Sequence, residues 1–144
     1  MKPFAFLVKT PKWAKENNCG QFNGYIAFDS HELFALGLAW TNYEEGRRYD
    51  VSEFANPNVA PAEVTYIEQH KLHEIGSIYP ISEIPQEAVD KTLFIIGFDT
   101  CHADNSWDKD TYNSVKSKTL EWLEKVIKIM DFYKARMKVI REER

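Results

Sequence analysis

The chain has 144 residues, 44% of them hydrophobic and 28% charged, and a net charge of −4. That length carries one domain with its own core, expected over residues 1–144. The acidic balance argues against non-specific nucleic-acid binding and leaves room only for a local basic patch. No apolar stretch approaches a membrane span, and Phe4–Val8 is too short, with no small-residue cleavage site after it, for a signal segment.

The expected location is therefore cytoplasmic, with Cys19 and Cys101 as free thiols. A C-x-x-C motif is absent, which excludes a zinc knuckle or thioredoxin-type site. Nine Phe, seven Tyr and four Trp imply bulky core packing or flat surfaces for stacking.

In chain order, Phe4–Val8 reads as a short apolar strand. "ENNCGQFNGY" is rich in turn steps, and Gly24–Phe28 follows as a second strand. "DSHELFALGLAW" is expected to make a helical turn or two, capped by Asp29 or Ser30. Residues 41–63, with the charged run Glu44–Arg48, read as a long surface excursion. "VTYI" and "KLHEIGSIYPI" are expected strands, and "IPQEAVDK" a helical turn with Pro85 near its start. "TLFIIGF" is the most hydrophobic strand and is placed centrally in the sheet. From Asp108 the apolar spacing becomes helical, wide up to Tyr133 and then narrowing to Tyr133, Met137 and Ile140. A helix of about 30 residues spans roughly 45 Å, so its end, from about Lys134, is expected to project or to pair with a second copy.

Chemistry is expected where the apolar run ends in "FDTCHADN". Asp99, His102 and Asp104 fall within six positions, in a stretch whose composition favours a curl. His31 follows the second strand, and His73 lies within an expected strand. If the strand ends met at one rim, His31, His73, Asp99 and His102 would form a set suited to zinc or manganese, with Asp104 as a further ligand or an orienting group. A metal-activated water would make a hydrolase. Without metal, Asp99 and His102 would serve as a general-base pair. The plainer alternative is that each histidine bonds a carbonyl and each aspartate caps a turn. Asp108 or Asp110 is expected to cap the long helix and is left out of the site. Cys101 reads as a small packing residue. Trp13, Trp40 and Trp107 lie in turn-like regions, where packing is the simplest role. Nucleotide loops and the serine-hydrolase elbow are absent.

The stretches "NGYIAFDSH", "LHEIGSIY" and "IGFDTCH", in this order and before a C-terminal helix, resemble a family of small uncharacterised bacteriophage and prophage proteins. That family shows a Gly-Tyr-Val segment followed by a histidine, then His-Gly-Gly, then Gly-Phe-Asp-x-x-His. The similarity covers about residues 19 to 125. It implies that His31, His73, Asp99 and His102 match polar motif positions, and that Gly24, Tyr25, Gly97 and Phe98 match structural ones. Two departures stand out. The His-Gly-Gly block reads His73-Glu74-Ile75-Gly76, and Asp104 comes one residue earlier than in the family. The resemblance implies a phage or prophage origin and a role inside a bacterial host. It supplies no activity.

The resulting expectation is an α+β fold: a mainly antiparallel sheet of about five strands with a long C-terminal helix packed on one face. Two functions are expected from it. One is metal-assisted hydrolysis at the Asp/His site. The other is a non-catalytic accessory protein that binds a host or phage protein, with self-pairing through the last helical turns.

Overall fold

The computed structural model describes residues 1–42 and 48–143. Seven strands are β1 (Phe4–Lys9), β2 (Phe22–Asp29), β3 (Trp40–Thr41), β4 (Tyr49–Asp50), β5 (Tyr66–Lys71), β6 (Tyr79–Pro80) and β7 (Thr92–Phe98). Three α-helices are α1 (Ser30–Ala35), α2 (Ser52–Ala55) and α3 (Tyr112–Glu142). The main sheet has five strands in the order β5-β7-β2-β1-β6, and every neighbouring pair is antiparallel. β3 and β4 form a separate two-stranded ribbon.

α3 lies across one face of this sheet, so the expected α+β architecture is the observed one. Its inner stripe, Val115, Trp122, Val126 and Met130, is buried against Leu7, Ile26, Phe28, Ile96 and Phe98. Complete burial of each such side chain contributes about 1.5–3 kcal/mol. Gly24 permits the close approach: a Cβ there would run into Thr119 of α3 and the Phe98 ring.

The opposite face is covered too. Phe4, Phe6, Ala27, Leu93 and Ile95 form a second cluster with Ala88, against which Leu72, Ile75, Ile78 and Ile84 pack. Because both faces are buried, β1 and β7 read as continuous apolar runs rather than alternating ones.

Three local expectations change. Within residues 41–63, Tyr49, Val51, Phe54 and Ala60 are buried. Phe54 stacks on Phe28 at 5.0 Å, and its carbonyl accepts from Trp122 Nε1 at 3.1 Å. That excursion is therefore part of the core, although its charged run, Arg48 apart, falls outside the described residues. "KLHEIGSIYPI" is not one strand. Leu72–Glu74 is a single 3-10 turn, Gly76 has φ of +84°, and only Tyr79–Pro80 pairs with β1. The cap of α3 is Thr111, which accepts from Ser114 N at 3.4 Å, and not an aspartate. Asp29 does cap α1, accepting from Glu32 N at 3.4 Å. Trp13 and Trp40 are exposed.

Candidate functional site

Asp99 is the first residue beyond β7, and its two carboxylate oxygens have different tasks. Oδ1 accepts from Cys101 N at 3.0 Å, closing a turn of the kind aspartate favours. The same oxygen lies 3.1 Å from His102 Nε2. Oδ2 accepts from Thr65 Oγ1 at 3.0 Å, which ties the loop to the approach of β5. Asp99 and His102 are each more than a third exposed, at 35% and 41% of the side chain. They meet because the strand ends and the chain curls.

The loop that carries them is held at several points. Buried Thr100 donates to the Phe22 carbonyl at 2.9 Å, and its N–H donates to Asn23 Oδ1 at 3.0 Å. His102 and Asn105 exchange hydrogen bonds at 2.9 Å each. Asn105 in turn donates to Asp110 Oδ2 at 3.1 Å, and Ser106 N donates to the same oxygen at 2.9 Å. Burial alone would raise the Asp110 carboxyl. The Ser106 amide, Asn105 and the Lys118 ammonium outweigh it and hold the group below the ordinary carboxylate value.

Cys101 is joined to Cys19 by a disulfide, with Cα atoms 4.4 Å apart and a sequence separation of 82. The expectation of two free thiols is corrected on this point. The reason is topological: Cys19 lies just before β2 and Cys101 just after its antiparallel neighbour β7, so the sheet brings them side by side.

An aromatic floor adjoins the pair. Phe6, Tyr25, Gly97 and Tyr66 stand in one cross-strand row. Tyr25 stacks on Phe6 at 5.3 Å and meets Tyr66 edge-on at 5.5 Å. Its ring lies over Gly97, where a Cβ would collide with it. Burial first, and then Tyr66 and Asp99, raise the Tyr25 phenol above its ordinary value, against an opposing hydrogen bond with Asn23. Burial and Glu68 do the same to Tyr66.

Of the residues singled out in the sequence, only Asp99 and His102 come together. His31 follows Asp29, which pairs with Leu93 at the start of β7. His73 follows Lys71, which pairs with Thr92. From there to Asp99 is about 20 Å along the strand. The expected convergence of four residues at one rim does not occur. Asp104 is exposed, and its carbonyl accepts from Lys109 Nζ at 3.3 Å. Among the described residues no group of three or more His, Cys, Asp or Glu side chains is placed to hold a metal ion.

Thr65, Asn23 and Tyr66 escaped the sequence reading. The signal that would have found Tyr66 is period-two placement: it shares a sheet face with Tyr25 and Gly97 once β5, β7 and β2 are paired.

Chemically, the site offers an imidazole steered by a carboxylate through Nε2, leaving Nδ1 as the nitrogen free to accept a proton. Cys101, bonded to Cys19, is not a thiol nucleophile for it, and the hydroxyl beside the pair is that of Thr65, 3.0 Å from Asp99 Oδ2. No family model, no curated protein and no solved structure matches the chain. No helix among the described residues is long and apolar enough to cross a membrane.

Proposed function

We propose that the protein works by contact with another protein, inside a bacterial host cell, and that the end of α3 is its contact surface. The observation that carries this reading is the exposure of Phe132 (62%), Val139 (51%) and Ile140 (40%) on the last turns of α3. Phe132, Arg136 and Val139 fall at i, i+4 and i+7, the spacing with which a helix seats itself in a groove. The stripe lies beyond the far end of the sheet from Asp99 and His102. It is also basic. Residues 128–144 hold six Lys or Arg and three Asp or Glu, so of the chain's 18 and 22 the rest hold 12 and 19. The chain's own acidic body is thus a complementary partner, which makes a second copy the first occupant to test. A host or phage protein with an acidic groove is the other, in keeping with the resemblance of the motifs to phage proteins.

The experiment is sedimentation of the full chain against Phe132→Glu/Val139→Glu. A concentration-dependent dimer that this variant loses, at unchanged thermal stability, supports pairing of copies. A monomer at every concentration overturns it and leaves the heterologous partner.

A second reading keeps Asp99 and His102 as the reacting pair, favoured by their 3.1 Å contact on a braced loop. They would act as general base, or as two ligands of a zinc or manganese ion whose remaining ligands come from water or substrate, with phosphoester hydrolysis as the reaction. A structural zinc takes four protein ligands and a catalytic one three, which places this reading second. Elemental analysis of untagged protein decides it. Stoichiometric metal that disappears in Asp99→Asn/His102→Ala keeps the hydrolase, and none in either removes it.

A further inference from the structure

We infer that the aromatic floor beside Asp99 is a binding slot for a small aromatic ring bearing a primary ammonium. The slot is a half-open groove of about 160 Å³, lined by Phe6, Val8, Tyr25, Tyr66, Ile75 and Ile95. A cavity of about 150 Å³ accepts one benzene ring, so the groove has room for a single ring whose substituent reaches solvent. The walls suit a ring as well. Phe6 and Tyr25 stack on each other and Tyr66 meets Tyr25 edge-on, so the rings brace one another into an aromatic wall beside the slot.

Charge selects the substituent. Asp99 lies two residues beyond Gly97, just past the end of β7, and Glu68 lies two beyond Tyr66 on β5, opposite Ile95 of the slot wall. Both act electrostatically on the two phenols. The histidines nearby are His102, against Asp99, and His70, whose ring is stacked at 6.4 Å from Tyr66. The carboxylates of Glu68 and Asp99 give the rim its acidic character. Tyrosine faces add a further attraction for a cation. A carboxylate-bearing ring would meet repulsion at the same rim.

The test uses the full chain near pH 8, with benzylamine as the probe and benzyl alcohol and benzoate as its neutral and anionic counterparts. Methyl resonances of Ile75 and Ile95 are followed by NMR. Saturable benzylamine shifts are expected, with benzoate at least about tenfold weaker, a difference of about 1.4 kcal/mol. Val8→Phe should fill the slot and abolish the shifts. Ile75→Trp does the same from the other wall, should Val8→Phe unfold. Glu68→Gln/Asp99→Asn should bring benzylamine down to the level of benzyl alcohol. The slot is overturned if benzylamine gives no saturable shift, or if both filled variants bind it as well as the parent. Equal affinity for benzoate and benzylamine overturns the ammonium preference.

Discussion

Asp99 Oδ1 stands between two donors, Cys101 N at 3.0 Å and His102 Nε2 at 3.1 Å. One oxygen therefore both shapes the turn and aims the imidazole. Asp99→Asn is expected to lower stability by about 1 kcal/mol, the ordinary net value of a hydrogen bond, because the amide can replace only part of this acceptor set. Urea unfolding checks it. A loss above about 3 kcal/mol would mean that Asp99 supports the core rather than a surface turn.

The bridge between Cys19 and Cys101 spans 82 residues. On a chain-entropy account a loop of that size stabilises by at most about 4.5 kcal/mol, with about 2–4 typical. Cys19→Ser/Cys101→Ser should lose that much relative to the oxidised parent, and reductant should bring the parent down to the variant. No free thiol should titrate in the oxidised protein without reductant. Two titrating thiols in protein purified under air would sink the bridge and return both cysteines to packing roles.

Acid should unfold the protein through Asp110 and Asp29. Asp110 is fully buried, and for both residues burial is outweighed by partners, chiefly Ser106 N for Asp110 and Lys91 at 2.7 Å for Asp29. Each carboxyl titrates lower folded than unfolded. Its stabilising effect is thus complete above the unfolded value of about 3.9 and is withdrawn as pH falls through the lower folded one. Asp110→Asn should be about 1–3 kcal/mol less stable at neutral pH and should show a shallower loss of stability below about pH 4. An unchanged slope in the variant would assign the acid lability elsewhere.

Gly24 lies beneath α3, where a Cβ would reach the Phe98 ring at 2.7 Å and Thr119 as well. Both neighbours are buried, so neither can swing into solvent. Gly24→Ala should lose about 1–3 kcal/mol by overpacking. A melting temperature within error of the parent would mean that α3 rides higher on the sheet than described.

The sheet and the long helix were legible because their signals are long: an unbroken apolar run in β7, and helical spacing over many turns of α3. Buried Phe54 was not, because single apolar residues among polar ones carry no period. The strand expected across 71–81 rested on Ile and Tyr content, and tertiary packing on the second sheet face overrode that propensity. For the site, a pair three residues apart across a turn was within reach of local reasoning. The wider set was not, since an antiparallel sheet and a rim that gathers the ends of neighbouring strands exclude each other. β2 and β5 both run against β7, so His31 and His73 lie where β7 begins and Asp99 where it ends. The pairing of Cys19 with Cys101 has no local signal at all.

The end of α3 separates what the fold needs from what it presents. Lys134 Nζ reaches Glu32 at 2.7 Å and Tyr133 donates to Glu53 at 3.2 Å, whereas Lys138 to Glu143 are exposed throughout. Removing residues 138–144 should change stability by less than about 0.5 kcal/mol, as for surface positions that touch nothing. Removing 133–144 should lose about 1–3 kcal/mol, since it deletes half-buried Tyr133 and Met137 and leaves the buried Glu32 Oε1 without Lys134. Urea unfolding at low and high protein concentration measures both. If the shorter truncation costs more than about 1 kcal/mol only at high concentration, the exposed stripe is covered by a second copy in solution. If it costs that much at every concentration, the last turns pack on their own domain, and the contact surface assigned to Phe132 and Val139 does not exist in the form described.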